Sequence, residues 1–142
     1  EIRALLGPTK DLEIEVERDW PDFHADHMVL KQILQNLISN AVKFNRRNPR
    51  RVHVGWQPAP EDAIEIVVRD NGIGIAPHYH EQIFRIFQRL HTRQEYEGTG
   101  IGVAIVRKAA HKLGGSVRVE SAAGKGSTFF VLLPREMKEN PE

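Results

Sequence analysis

The sequence contains no cysteine in its 142 residues. This absence excludes disulfide bridges, thiolate zinc sites and a cysteine nucleophile. No apolar run approaches the roughly 18 residues that a membrane-spanning helix needs, and no secretory signal opens the chain. An excess of charge of one sign is also lacking, since the formal net charge is only +1. We therefore expect no nucleic-acid partner and no direct contact with a membrane.

The remaining composition is that of an ordinary globular domain, with 40% hydrophobic and 27% charged residues. A chain of 142 residues is long enough to bury a substantial core, and we expect a single domain over residues 1–142. The chain opens at Glu1 in the middle of a pattern and without methionine, which we interpret as a piece of a longer protein. Residues 135–142 are expected to form a frayed tail.

Hydrophobic periodicity separates strands from helices along the chain. Alternating apolar residues predict five strands, at 12–17, 51–56, 63–69, 117–120 and 128–133, with a turn at 57–62. Helical stripes predict one helix from the cap Asp26 to near Asn45 and another from Gly100 to Leu113. A short helix is expected around 83–87, followed by a mobile polar loop at 88–98. This order predicts an α+β fold, a two-layer sandwich with a mixed, mostly antiparallel sheet and helices on one face.

A strand end and a glycine turn meet at 70–75, where the sequence is DNGIGI. An alternating apolar run precedes it, so Asp70 is expected at the C-terminal end of a strand. Gly72 and Gly74 allow the backbone to turn sharply or to lie against a ligand, and the acidic side chain can accept a hydrogen bond from a ligand amino group. Asp-Asn-Gly is also strong turn chemistry, so a plain loop is the alternative.

Three polar residues share one face of the first predicted helix: Asn36, Asn40 and Lys43. Steps of four and three residues return to nearly the same angle, roughly 125° from the centre of the apolar stripe, so this face borders the core. An amide oxygen suits a hard cation, and an ammonium group suits phosphate. Ordinary polar residues that flank a core are the alternative interpretation.

A second glycine cluster, GTGIG at 98–102, comes directly before a predicted helix. The free N–H groups and the dipole at a helix N-terminus favour an anion. The spacing is neither the dinucleotide pattern GxGxxG nor a Walker A loop. A phosphate site of another type is one interpretation, and a flexible loop that ends in a helix cap is the other.

Five motifs together resemble those of sensor histidine kinases, in the order found in that family. They are NLISNAVKF at 36–44 (the N box), DNGIGI at 70–75 (the first glycine box), FRIF at 84–87 (the F box), GTGIG at 98–102 (the second glycine box) and GSTF at 126–129 (the terminal Gly-x-Thr segment). The resemblance extends from about residue 11 to 134, and residues 87–98 are similar to phytochrome-type kinases. It implies the Bergerat-type ATP-binding fold shared by gyrase, the Hsp90 chaperone, histidine kinases and MutL.

The resemblance also implies roles for individual positions. Asp70 would accept a hydrogen bond from the adenine amino group, and Thr128 would support that end of the nucleotide. Asn40 would give Mg²⁺ an oxygen ligand, with Asn36 beside it, and Lys43 would hold phosphate. The other ATP-binding positions would be Gly72, Gly74, Phe87, Gly98, Thr99, Gly100, Ile101 and Gly102.

The loop at 88–98 would be the ATP lid, pinned by Phe84 and Phe87. From this lid Arg93 and His91 would reach the γ-phosphate when the lid closes. A solvated loop charge is the alternative for each. The cofactors implied are therefore ATP and Mg²⁺.

One position distinguishes a kinase from a hydrolase. Hydrolytic relatives carry a glutamate base one helical turn before the magnesium asparagine, where this chain has Asn36, whose amide cannot accept a proton. The implied function is transfer of the γ-phosphoryl group to a histidine on a separate dimerisation domain, for onward passage to a response regulator. An ATP-hydrolysing switch and a non-catalytic interaction module are the alternatives. We expect a cytoplasmic protein and a monomeric fragment, with residues 1–10 as the linker from the phosphoacceptor hairpin.

Overall fold

Within the described residues, five strands form one sheet and two helices lie between them along the chain. The computed structural model describes residues 11–43, 45, 47, 49–74, 100–121 and 124–135. The elements are β1 (Leu12–Val16), α1 (His27–Lys43), β2 (Arg50–Ala59), β3 (Ala63–Asp70), α2 (Gly100–Lys112), β4 (Ser116–Ser121) and β5 (Ser127–Pro134). The linker at 1–10, the short helix around 83–87, the loop at 88–98 and residues 136–142 of the tail lie outside the described residues.

The spatial order of the sheet is β1-β2-β3-β5-β4. β1 runs parallel to β2, and the other three neighbouring pairs are antiparallel. A parallel pair needs a crossover between its strands, and α1 lies in that crossover. The mixed, mostly antiparallel sheet confirms the predicted α+β fold.

Strand alternation sends one set of side chains towards the helices. On the central strands this set includes Val54, Val68 and Phe129, which are cross-strand neighbours and are all buried. They belong to the same core cluster as Ile33 and Leu37 on the apolar stripe of α1. Residues of α2 complete this core, so both helices cover the same face of the sheet, as predicted.

The opposite face of the sheet carries polar side chains that pair across strands. The guanidinium of Arg118 lies 3.7 Å from the ring centre of Phe130 and forms ion pairs with Glu65 and Glu120. These carboxylates raise the pKa of Arg118 and keep it charged. A sheet face with such paired charged side chains does not need helices to cover it. This agrees with a two-layer architecture of one sheet and one layer of helices.

Local signals set the ends of both helices. Oδ1 of Asp26 accepts hydrogen bonds from the N–H groups of Met28 (2.9 Å) and Val29 (3.2 Å), which is the predicted N-cap of α1. α2 ends just before Gly114, whose φ is 85°, and the next N–H, that of Gly115, donates to the carbonyl group of residue 110. Neither of these helices is long and apolar enough to cross a membrane.

β2 continues into residues that the sequence predicts as a turn, 57–62, and only residues 60–62 remain between β2 and β3. Pro58 is tolerated within the strand because its missing N–H would point to an open edge. The N–H of Trp56 faces β1 and donates to the carboxylate of Glu17 at 3.3 Å. Pro58 faces the same edge two residues later, where β1 has ended.

Candidate functional site

The carboxylate of Asp70 lies at the end of β3, on the sheet face that the helices cover. Its cross-strand neighbours are Ser127 on β5 and, beyond it, Ser121 on β4. Oδ1 of Asp70 accepts hydrogen bonds from the N–H groups of Gly72 (2.8 Å) and Ser127 (3.3 Å). No described residue donates to Oδ2, so this oxygen can accept a hydrogen bond from a ligand.

Burial raises the pKa of Asp70 from 3.8 to about 6. The N–H groups of Gly72 and Ser127 act in the opposite direction because they stabilise the carboxylate, but desolvation outweighs them. The group is therefore largely ionised at neutral pH and gains a proton near pH 6. An ionised carboxylate only accepts hydrogen bonds, which selects for a ligand that presents an N–H or O–H group.

Two glycine turns meet at the backbone of Asp70. The turn after Asp70 contains Gly74, with a φ of 76°. From the start of β5, Gly126 approaches so closely that a Cβ atom there would lie 2.2 Å from the Asp70 carbonyl oxygen. The N–H of Gly124 donates to the carbonyl oxygen of Ile73. Gly126 therefore lets the two loops touch where a side chain would separate them.

The strand register places Ser127, and not Thr128, beside Asp70. The sequence prediction gave Thr128 the supporting role at the adenine end, but Thr128 pairs with Glu120 and belongs to the opposite face of the sheet. Ser127 is buried, and its Oγ lies 2.8 Å from the Oγ of Ser121. Side chains alternate between the two faces of a sheet, so neighbouring residues such as Ser127 and Thr128 lie on opposite faces. The register of the strand therefore decides which of the two lies beside Asp70. We therefore replace Thr128 by Ser127 in the candidate site.

The C-terminal end of α1 is tied to the loop that follows Asp70. Asn45 is buried just after the helix, and its Nδ2 donates to Oδ1 of Asn71 at 2.7 Å. Asn40 lies in the last helical turn before this contact. Its Nδ2 is buried and has no hydrogen-bond partner in the described part of the chain. A bound ligand could supply the hydrogen bond that this buried nitrogen lacks among the described residues.

Asn36 lies one turn before Asn40, on the same side of α1. Its Nδ2 donates to the carbonyl oxygen of Gln32 at 2.8 Å, which fixes the amide plane. Lys43 is the last residue of the helix, and its side chain lies outside the description. The helix therefore carries the three predicted polar positions in a row that leads towards the Asp70 end of the sheet.

α2 begins at Gly100, as the second glycine cluster predicts. Its first turn contains no acidic residue, so no carboxylate of that turn competes for the N–H groups of residues 100–102, which have no acceptor within the helix. The other end of α2 lies against β5, since a Cβ atom at Gly115 would fall 1.7 Å from the carbonyl oxygen of Leu132. Leu132 is distant from Ser127 along β5, so α2 terminates away from the Asp70 end of the sheet.

Four predicted site residues lie outside the described residues: Phe87, Arg93, Gly98 and Thr99. The side chain of Ile101 is also outside the description. The ATP lid therefore stays a prediction.

Four residues at this end of the sheet were not predicted as site residues from the sequence: Asn45, Arg47, Asn71 and Ser127. Asn71 is the centre of the group, because its Oδ1 also accepts the N–H of Arg51 (2.8 Å) and its Nδ2 donates to the carbonyl oxygen of Pro49 (3.2 Å). These contacts join residues that are distant in sequence, and no local pattern signals them. The choice of Ser127 over its neighbour Thr128 likewise depends on the register of β5 on β3, which joins segments that are distant in sequence.

Comparison with known proteins identifies the family to which this arrangement belongs. Residues 25–137 match the family described as "Histidine kinase-, DNA gyrase B-, and HSP90-like ATPase". The match covers most of the chain, so the chain belongs to this family. Membership supports ATP binding and a role as a kinase catalytic domain, and it confirms the resemblance seen in the five motifs.

Curated relatives include phytochrome-like kinases. The phytochrome-like protein Cph1 of Synechocystis sp. is 47% identical over 122 residues, which are 86% of this chain and 16% of that protein. The circadian input-output histidine kinase CikA of Synechococcus elongatus is 37% identical over 98% of this chain and 19% of its own length. The aerobic respiration control sensor protein ArcB of Escherichia coli is 38% identical over 93% of this chain and 18% of its own length. This chain therefore spans less than a fifth of the length of these relatives.

Solved structures show the same fold. The mycobacterial sensor histidine kinase MprB superposes with a TM-score of 0.79 at 28% identity, covering 96% of this chain and 90% of that chain. Full-length ShkA in complex with AMPPNP gives a TM-score of 0.78 at 31% identity, over 99% of this chain and 30% of that chain. The predicted architecture is thus confirmed by independent structures of histidine kinases.

Proposed function

We propose that this chain binds Mg-ATP and transfers the γ-phosphoryl group to a histidine on a separate domain. The observation that carries the proposal is the Asp70 carboxylate, which two backbone N–H groups hold through Oδ1. The other oxygen, Oδ2, has no donor among the described residues and would accept a hydrogen bond from the amino group of adenine. Ser127 would add its hydroxyl group, or a water molecule bound to it, at the same end of the nucleotide.

The phosphate end of ATP is proposed to lie along the last turns of α1. The amide of Asn40 fits a ligand there, because its Nδ2 atom is buried and has no described partner. Rotation of the amide presents its oxygen, the type of ligand that Mg²⁺ prefers. Lys43 and the N–H groups of residues 100–102 would hold phosphate oxygens. The bound ion would neutralise the charge of the phosphates during transfer.

Transfer to a protein histidine is favoured over hydrolysis by Asn36. A hydrolase needs a base to activate water, and an amide cannot accept the proton. The Asn36 amide is also engaged, since its Nδ2 bonds the carbonyl oxygen of Gln32. The nucleophile is therefore proposed to be an imidazole on the dimerisation and phosphoacceptor domain of the full-length protein, with a response regulator as the next acceptor.

The test supplies that acceptor separately. The chain is mixed with radiolabelled Mg-ATP and an isolated phosphoacceptor hairpin of a phytochrome-type kinase, and label on the hairpin is measured against released inorganic phosphate. We expect label on the hairpin and little release, with Asp70→Asn abolishing the transfer.

Asp62→Asn is the matched control for this assay. It makes the same chemical change at the other end of β3, on a side chain that is 85% exposed. We expect it to transfer phosphate as the parent chain does. Phosphate release without labelled hairpin would support the hydrolysing switch, and neither product together with no nucleotide binding would support the non-catalytic module.

A further inference from the structure

We propose that Arg47 is a positioning residue for the nucleotide site. It fastens the glycine turn after Asp70 to the turn between β4 and β5, and so fixes the adenine acceptor. The inference rests on the proposed function, because it assigns Arg47 a part in nucleotide recognition.

Two donors of the Arg47 guanidinium reach two different loops. Nε lies 3.1 Å from the carbonyl oxygen of Asn71, and Nη2 lies 2.9 Å from the carbonyl oxygen of Gly124. These partners are 24 and 77 residues away along the chain. A single side chain therefore joins loops that are close in space but distant in sequence.

The backbone of Arg47 is held by the same network. Its N–H donates to Oδ1 of Asn45 at 2.9 Å, and Nδ2 of that residue donates to Oδ1 of Asn71 at 2.7 Å. Asn45 is only 5% exposed and uses both atoms of its amide, so it fixes the point from which the Arg47 side chain starts. An ordinary solvated surface arginine has no such anchor at either end.

The two joined loops are the ones that hold the Asp70 carboxylate. Gly72, in the first loop, donates to Oδ1 at 2.8 Å, and Ser127, directly after the second, donates to the same oxygen at 3.3 Å. A displacement of one loop relative to the other would change both bonds and the direction of Oδ2. Arginine suits this task because its planar group presents several N–H donors in a fixed fork, which lysine lacks.

Amide hydrogen exchange on the nucleotide-free chain tests the contact directly. We expect Arg47→Ala to speed exchange at Gly72 and Gly124 by about tenfold, because each of the two loops loses one ordinary hydrogen bond that restrained it. Arg47→Lys should restore this only in part. Arg51→Ala is the matched control, because it removes the same charge nearby and, among the described residues, loses an exposed ion pair with Glu13 and no other side-chain contact.

Nucleotide preference gives the functional readout. Guanine has an oxygen where adenine has its amino group, so a correctly aimed carboxylate favours AMPPNP over GMPPNP. We expect Arg47→Ala to lower this preference and Arg51→Ala to leave it unchanged. Equal exchange rates in the two variants, or an unchanged preference in Arg47→Ala, would overturn the inference. A parent chain that binds neither nucleotide would refute the proposed function instead, and the exchange rates would still decide whether Arg47 restrains the loops.

Discussion

Gly126 lies directly against the backbone of Asp70, and a Cβ atom at Gly126 would fall 2.2 Å from the Asp70 carbonyl oxygen. The φ of Gly126 is +82°, a conformation that is strained for residues with a side chain. The position of Asp70, the proposed adenine acceptor, therefore depends on the absence of a side chain in the turn directly before β5.

Gly126→Ala is expected to lower the free energy of unfolding by about 2–4 kcal/mol, because overpacking adds to the strain of a left-handed backbone. Gly124→Ala is the matched variant, since Gly124 also has a positive φ but nothing lies within 4 Å of its Cβ position. We expect a loss of about 1 kcal/mol there. Urea unfolding and AMPPNP binding measure both effects, and equal losses in the two variants would contradict the role given to the close approach.

One pair of variants tests whether Ser127, rather than Thr128, belongs to the candidate site. Ser127→Ala should weaken AMPPNP binding roughly two- to tenfold, the net contribution of one hydrogen bond. Thr128→Ala should leave binding unchanged, because that residue lies in register with Glu120 on the other face of the sheet. Calorimetric affinities decide the point. Weaker binding in Thr128→Ala alone would restore the original prediction from the sequence.

Nucleotide binding is expected to weaken as the pH falls through about 6, the pKa of Asp70 in the folded chain. A protonated carboxyl group carries its own donor and loses the charge that favours an amino group. Titration with Mg-AMPPNP from neutral to acidic pH measures the change. The phosphates of the nucleotide also ionise in this range and contribute to the pH dependence of binding. Asp62→Asn should therefore show the same pH dependence as the parent chain. An identical pH profile in Asp70→Asn would show that Asp70 is not the titrating group.

The same carboxylate should destabilise the nucleotide-free chain at neutral pH. Its folded pKa lies above its unfolded value of 3.8, so protons bind the folded state more tightly. The free energy of unfolding therefore decreases as pH rises from about 4 to about 6, by roughly 2–3 kcal/mol from this group. We expect Asp70→Asn to be more stable than the parent chain above pH 6 while it loses nucleotide. Urea unfolding on both sides of this range measures the change, and a less stable Asp70→Asn would contradict the assigned cost of burial.

Features that depend on neighbouring residues were predicted correctly from the sequence. The apolar stripe and the N-cap of α1 lie within one continuous stretch of sequence, and Asp26 does cap the helix. The same holds for α2, which begins at Gly100 and ends before Gly114. Asp70 was also placed at a strand end, because the alternation of β3 and the glycines after it are contiguous.

Features that depend on pairing between distant segments were not predicted. The extension of β2 through Pro58 requires knowing that β1 stops short and leaves that edge open. The choice between Ser127 and Thr128 requires the register of β5 on β3. The contacts of Arg47 cross up to 77 residues and follow from the fold rather than from any motif.

The most direct test of the account is calorimetric titration of Mg-AMPPNP into three proteins: the parent chain, Asp70→Asn and Asp62→Asn. We expect saturable binding by the parent and by Asp62→Asn, and no measurable binding by Asp70→Asn even though that variant stays folded. Binding that is the same in all three would show that the adenine group lies elsewhere and would contradict the central claim.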